Sequence, residues 1–163
     1  CVRSLSVAEN LALRDFDRPP FARPGGRVDF AAIERRARGL IEAFRIRCAG
    51  PGARIDTLSG GNIQRTVLAR ELSGEVQLLV AQNPCLGLDF AATREIRGKI
   101  LEARNRGAAV LLVSEDLDEL LELADRILVM LEGSLVYETG RAAASAEEIG
   151  RHMTEGGSHE RSS

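Results

Sequence analysis

Apolar positions along the chain fall into two regimes. Up to about residue 60 they recur at helical spacing between loops. Beyond it, short continuous apolar runs alternate with amphipathic stretches. "SVAENLAL" (6–13) pairs Ser6 with Glu9 three residues on, a capping-box signature ahead of a short apolar helix. "RDFDRPPFARPGGRV" (14–28) carries Pro19, Pro20, Pro24, Gly25 and Gly26, which predicts an exposed loop without regular structure. Asp29 then predicts the cap of a second helix whose Phe30, Ile33, Ala37, Leu40, Ile41 and Phe44 share one face. A further loop, "RCAGPGARIDT", leads to a third helix, "NIQRTVLARELSG" (62–74), with Ile63, Val67, Leu68 and Leu72 at helical spacing and Gly74 as its stop.

The second regime predicts strands. "VQLLVA" (76–81) and "AAVLLVS" (108–114) suit strands buried on both faces, with a helix over roughly 90–105 between them. "EDLDELLELA" predicts a short acidic helix. "RILVML" and "LVYE", joined by Glu132-Gly133-Ser134, predict a third strand and its hairpin return. Strand–helix–strand–helix–strand at this spacing is half of a parallel α/β sheet with right-handed crossovers. The expected organisation is a helical subdomain over 1–57, the sheet-bearing part over 58–140, and a C-terminal helix with a disordered "GGSHERSS" tail over 141–163.

Composition narrows the class only a little. The 163 residues suffice for one domain with a real core, and no stretch approaches the roughly 20 apolar residues of a membrane span. No signal peptide is expected, and the missing initiator Met suggests a fragment, either naturally excised or engineered. Three isolated cysteines (Cys1, Cys48, Cys85) favour a reducing cytoplasm. The net charge of −2 favours neither nucleic acid nor membrane. Residues 1–57 hold 11 Arg against 7 acids, a modest excess read as a solvated Arg-rich face. Lys99 is the only lysine.

The junction between the regimes is "LSGGNIQR" (58–65). Ser59 precedes a helix, and Gly60 and Gly61 let the backbone turn without a Cβ penalty. Free amides, a hydroxyl and the positive end of a helix dipole then face one spot, which suits phosphate. The alternative at this point is a plain N-cap serine in a Gly-rich turn.

The LSGGN motif resembles the signature of ATP-binding-cassette (ABC) ATPases. The order of the downstream segments is similar too: an apolar strand ending before Pro84, a "GLD" turn, a second apolar strand, then "VSEDLDEL" and "ADRILVMLEG". With "NPCLGLD" downstream, the motif looks closest to the second cassette of sugar- and nucleoside-type ABC importers, and the likeness runs over essentially the whole chain. It implies part of a P-loop NTPase core, preceded by a helical subdomain. The implied ligands are ATP and Mg²⁺, and the implied partners are a second cassette and transmembrane permease subunits. The implied location is the cytoplasmic side of the inner membrane.

The resemblance also exposes departures. The family's P-loop, G-x-x-x-x-G-K-[ST], needs a lysine, whereas Lys99 sits mid-helix in "REIRGKILEARN" with no Gly-rich loop before it and reads as solvent-facing. The P-loop and the adenine-stacking aromatic would precede Cys1. The family's strand-end Asp-Glu, which holds Mg²⁺ and polarises water, corresponds to Gln82 and Asn83, and its switch histidine to Glu115. Amides are no general bases and poor Mg²⁺ ligands, so a degenerate site in cis is expected, with no catalytic residue of its own.

The resemblance assigns Leu58, Ser59, Gly60, Gly61, Asn62 and Gln64 to a signature acting in trans on a partner's ATP, and Asp89 to the turn that crosses the cassette interface. No metal site is expected: His152 and His159 lack a third ligand, and Glu115, Asp116, Asp118, Glu119 and Glu122 read as the exposed face of an acidic helix. Cys85 receives no role. The function expected is part of the ATP-binding subunit of an ABC importer for sugars or nucleosides, inactive as an isolated ATPase. The alternatives are a soluble ABC ATPase acting on nucleic acid and an inactive interaction module. A coiled-coil insertion or marked basic surface, either of which would favour nucleic acid, is missing from the sequence.

Overall fold

A computed structural model describes residues 1–154, so the expected tail disorder and His159 lie outside the described residues. The described residues divide into two compact units, one of residues 1–79 and 85–109, the other of 80–84 and the described residues from 110 on. The boundary runs through two of the strands.

In the first unit, α1 (Val7–Ala12) starts on the expected capping box: the Ser6 side chain accepts from the Glu9 amide, and the Glu9 carboxylate accepts from the Ser6 amide at 2.8 Å. Its first two amides, of Val7 and Ala8, donate to the carbonyls of Ala53 and Pro51. Behind it, Asn10 is fully buried; its side chain accepts from the Val2 amide (2.8 Å) and donates to the Val2 and Ser6 carbonyls (3.1 and 2.9 Å). α2 (Phe30–Ala43) begins at Asp29, whose carboxylate accepts from the Ala32 amide. α3 (Gly60–Leu72) and α4 (Phe90–Asn105) complete the helices of this unit. Val7, Leu11, Ile33, Ala37, Phe44, Ile55, Leu68, Leu72, Ile96 and Ile100 form its core.

Several expectations fail here for local reasons. The loop at 14–28 closes into a small antiparallel hairpin, β1 (Ala22–Arg23) with β2 (Arg27–Val28), because Gly25 and Gly26 take up φ values of +86° and +73°. Phe30 is 59% exposed, since it sits in the first turn of α2, outside the packed part of the face. Along α3 the fully buried positions are Thr66, Leu68, Ala69 and Leu72, whereas Ile63 and Val67 are half-buried. Thr66 becomes tolerable inside because its hydroxyl donates to the Asn62 carbonyl at 2.8 Å. Lys99 is half-buried rather than solvent-facing. Its ammonium lies 5.2 Å from the Phe44 ring centre and 3.6 Å from the Glu102 carboxylate.

β3 (Leu78–Gln82) pairs with β4 (Ala109–Val113). The Ala109 amide donates to the Gln77 carbonyl and the Asn83 amide to the Val113 carbonyl, so both strands advance together, as parallel strands do. The expectation of burial on both faces fails: Leu79 and Ala81 are buried, whereas Leu78, Val80, Leu111 and Val113 are more than half exposed. Alternation puts those four on the open face.

In the second unit, β5 (Arg126–Leu131) pairs antiparallel with β6 (Ser134–Gly140) through a Glu132-Gly133 turn with both φ values positive. Among the described residues β5 is not hydrogen-bonded to β3 or β4, so the expected three-stranded parallel sheet is a parallel pair plus a separate hairpin. Ile127, Val129 and Ile149 form the core between this hairpin, α5 (Leu117–Leu123) and α6 (Ala146–Thr154). The expected exposed acidic face of α5 is broken at Glu119, which is 1% exposed: helical spacing puts it on the core side with Leu123.

The first unit yields two tests. Asn10→Ala leaves the Val2 amide without its partner and takes one of two donors from each of the Val2 and Ser6 carbonyls, and urea denaturation should show a loss of about 1–3 kcal/mol. The Ser6 hydroxyl and amide hold the Glu9 carboxyl below its ordinary value of 4.5. Its contribution is therefore present at neutral pH and fades as pH falls through that lowered value. Glu9→Gln should lower the melting temperature at pH 7, and thermal melts at a series of pH values should show that difference shrinking as the pH falls below 4.5.

Candidate functional site: the serine–diglycine corner

The corner is built from the buried side outward. Ile55, 1% exposed, anchors a 3₁₀ turn, Ile55–Thr57, whose first amide donates to the Leu5 carbonyl at 3.1 Å. Leu58 then leads extended backbone into Ser59, the residue preceding α3. Ser59 is exposed, and so is Gly60; Gly61 is half-buried.

Ser59 occupies the N-cap position of α3, yet its side chain caps nothing there. Its hydroxyl oxygen instead accepts from the Asn62 side-chain amide at 2.9 Å. The Asn62 side-chain carbonyl oxygen accepts from the Arg47 backbone amide at 2.8 Å. The first intrahelical bonds of α3 run from Asn62 and Ile63 to the Ser59 carbonyl. That leaves the amides of Gly60 and Gly61 without a carbonyl partner among the described residues. At α1 the equivalent amides are covered by a loop; at α3 no such carbonyl is in place among the described residues. Unpaired N–H groups at a helix start, beside a hydroxyl, form a site for an anion.

The glycines serve a different purpose from the one their sequence implied. Neither has a positive φ, so the turn itself does not require them. A Cβ on Gly61 would lie 3.2 Å from a Leu88 methyl, and a Cβ on Gly60 would meet nothing within 4 Å. Gly61 makes room for the "GLD" turn, whereas nothing within the described residues crowds Gly60. Leu88 leads into Asp89, whose carboxylate caps α4 through the Ala92 amide at 2.8 Å. Asp89 is exposed beyond that bond.

Around the corner lie contacts the sequence did not announce. The Arg65 guanidinium donates to the Phe44 carbonyl (2.9 Å) and to the Glu95 carboxylate (3.0 Å), which bridges α3 to α4. Arg45, with φ +49°, sits in the turn after α2, and its guanidinium lies 3.9 Å from the same Glu95. Helical spacing from Asn62 and Arg65 was the available signal, but their partners lie 15 and 30 residues away in sequence.

In the second unit, Gln82 ends β3 exposed, and Asn83 comes next with φ +45°. Asn is among the few residues that adopt this region readily. Its side-chain carbonyl accepts from the Glu115 amide at 3.3 Å, so two of the three departure positions meet. Asn83 thus has a backbone reason for its identity. Glu115 is exposed, and the next residue, Asp116, caps α5 through the Glu119 amide. Among the described residues no group of three His, Cys, Asp or Glu could hold a metal ion, and the strand-end amides do not fit Mg²⁺. His152 stacks on Tyr137 with ring centres 4.3 Å apart, a packing role. None of the three cysteines forms a disulfide.

The fold compares closely with known cassettes. The ATP-binding subunit of an ABC transporter superposes with a TM-score of 0.74 at 21% identity, covering 95% of this chain and 65% of that one. A dimeric ATP-binding cassette in a post-hydrolysis state, bound to ADP and Pi, gives 0.71 at 21%, covering 86% and 58%. The chain therefore has the fold of an ABC ATPase cassette. No protein-family model matches it.

Sequence relatives narrow the class. The glucose import ATP-binding protein TsgD13 of Haloferax volcanii is 45% identical over 94% of this chain and 28% of its own length. The nucleoside import ATP-binding protein NupA of Lactococcus lactis is 36% identical over 98% and 31%. A ribose import ATP-binding protein, RbsA 1 of Streptomyces avermitilis, is 36% identical over 91% and 28%. The chain is a homologue of the ATP-binding proteins of sugar and nucleoside ABC importers, and it spans under a third of the length of these relatives.

The two glycines should separate on substitution. Gly60→Ala should raise stability by about 0.5–1 kcal/mol, since alanine is favoured in a helix and nothing obstructs it. Gly61→Ala should gain nothing or lose stability, because Leu88 must shift. Urea denaturation of the two variants measures the difference.

Proposed function

We propose that this chain works in the ATP-binding part of an ABC importer for a sugar or nucleoside. It supplies its corner at Leu58, Ser59, Gly60, Gly61, Asn62 and Gln64 in trans to an ATP held by a partner cassette. One observation carries the reading: Ser59 and Gly60 are exposed at the start of α3, the Ser59 side chain caps nothing there, and the amides of Gly60 and Gly61 have no carbonyl partner among the described residues. A γ-phosphate presented by another segment would take these donors as electrostatic stabilisers, a role that needs position rather than chemistry.

Asp89, beside Leu88 and Gly61, would carry contact across the cassette interface. Residues 1–57 would touch permease subunits, holding the assembly at the cytoplasmic face of the membrane. Among the described residues no helix is long and apolar enough to cross a membrane. The chain's own catalytic positions, Gln82, Asn83 and Glu115, offer two amides and a carboxylate, so hydrolysis in cis would be slow. ATP with Mg²⁺ is the ligand of the whole assembly, its phosphate loop provided outside these residues.

The test is ATP turnover by the importer assembled with this chain. Ser59→Arg places a long side chain over the corner and should lower turnover by at least about tenfold. Gln82→Ala together with Glu115→Ala should leave it within about twofold, the change expected of groups that perform no chemistry. Loss of turnover in the second variant but not in the first would reverse the assignment.

A further inference from the structure

We propose that Asn62 is the positioning residue of the Ser59 hydroxyl, and that through it the turn after α2 governs whether the corner donates to a phosphate. The inference rests on the proposed trans role of the corner and concerns how that site is set.

A serine hydroxyl has one proton and rotates to suit its neighbours. Which way it points decides whether Ser59 donates to an incoming anion or merely presents an oxygen to it. Here Asn62 decides. The Arg47 amide has only a proton to offer, so the Asn62 atom facing it at 2.8 Å is the carbonyl oxygen. The other end of the carboxamide, facing Ser59 at 2.9 Å, is then the NH₂ group. A hydroxyl that accepts from an NH₂ keeps its own proton for another partner. The Ser59 proton is left to point outward, in the company of the Gly60 and Gly61 amides. With those amides, which have no carbonyl partner among the described residues, three donors stand at this end of α3.

The device is tied to a defined element. Arg47 closes the turn Phe44–Arg47, which contains the positive-φ Arg45 and is pinned by buried Ile46. Its other end is held by α3 as well, through Arg65 and the Phe44 carbonyl. Two side chains of one helix, Asn62 and Arg65, thus grip both ends of one turn. Displacement of the turn would withdraw the Arg47 amide, free the carboxamide to flip, and let Ser59 donate inward. Movement at the end of α2 becomes a change in donor number at the corner, without movement of α3 itself.

The substitutions separate positioning from mere structure. Asn62→Asp keeps an acceptor for the Arg47 amide but replaces NH₂ with a second acceptor, so the Ser59 proton turns inward and a negative charge joins the site. Asn62→Ala loses the Arg47 bond yet leaves the hydroxyl free to rotate. A purely structural Asn62 makes alanine the more damaging change. The positioning role makes aspartate the more damaging one.

In the assembled importer, ATP turnover at saturating MgATP should fall about tenfold for alanine and further for aspartate. Hydrogen exchange at the Arg47 amide should show the opposite order: faster in Asn62→Ala, unchanged in Asn62→Asp. In a Ser59→Ala background, Asn62→Ala should cost little more, since the two act as one unit. An alanine variant worse than aspartate, or a full additional loss in the Ser59→Ala background, would overturn the positioning role. A Ser59→Ala importer with normal turnover would instead overturn the trans-signature reading itself.

Discussion

A helix that starts with two unpaired amides at the surface carries a solvation debt that most helices in this chain avoid. α1 covers its first amides with the carbonyls of Ala53 and Pro51, and α2, α4 and α5 cap theirs with Asp29, Asp89 and Asp116. α3 alone of these begins with a serine whose hydroxyl is directed to Asn62 instead. The proposed function depends on that exception. An anion is the natural partner for such a start, because unpaired donors and the helix dipole add at the same point.

The surroundings fit a site held ready rather than one formed on demand. Leu88 presses against Gly61, Arg65 joins the turn after α2 to Glu95 of α4, and Asn62 spans from Arg47 to Ser59. Each contact crosses between elements distant in sequence, so the corner inherits the rigidity of the packed first unit. The second unit gives a contrasting picture at Gln82, Asn83 and Glu115. Asn83 is explained by its left-handed backbone and its bond to the Glu115 amide, a local structural solution.

Much of this was legible in the residues. Capping at Ser6, Glu9 and Asp29, the helices near 30–43 and 90–105, and the hairpin at Glu132-Gly133 carry short-range signals, and they fold as those signals say. The serine–diglycine corner was visible as the start of a helix because its logic is local to five residues. What escaped notice was non-local. Burial of Glu119 and of Lys99 depends on which neighbours cover them, and exposure of Leu78, Val80, Leu111 and Val113 depends on what lies over the sheet. Apolar periodicity reads a face as buried wherever it is apolar. The turn does not explain the glycines for the same reason: their φ values are ordinary, and the close approach of Leu88 to Gly61 is non-local. The Asn62–Arg47 bond, across 15 residues, has no sequence signature at all.

The central claim is geometric, and a structure of the assembled importer trapped with a non-hydrolysable ATP analogue tests it most directly. The terminal phosphate of a nucleotide held by the partner cassette should lie about 3 Å from Ser59 Oγ and from the amides of Gly60 or Gly61. A map in which that phosphate is bound elsewhere, with this corner solvated or covered by another protein surface, would contradict it.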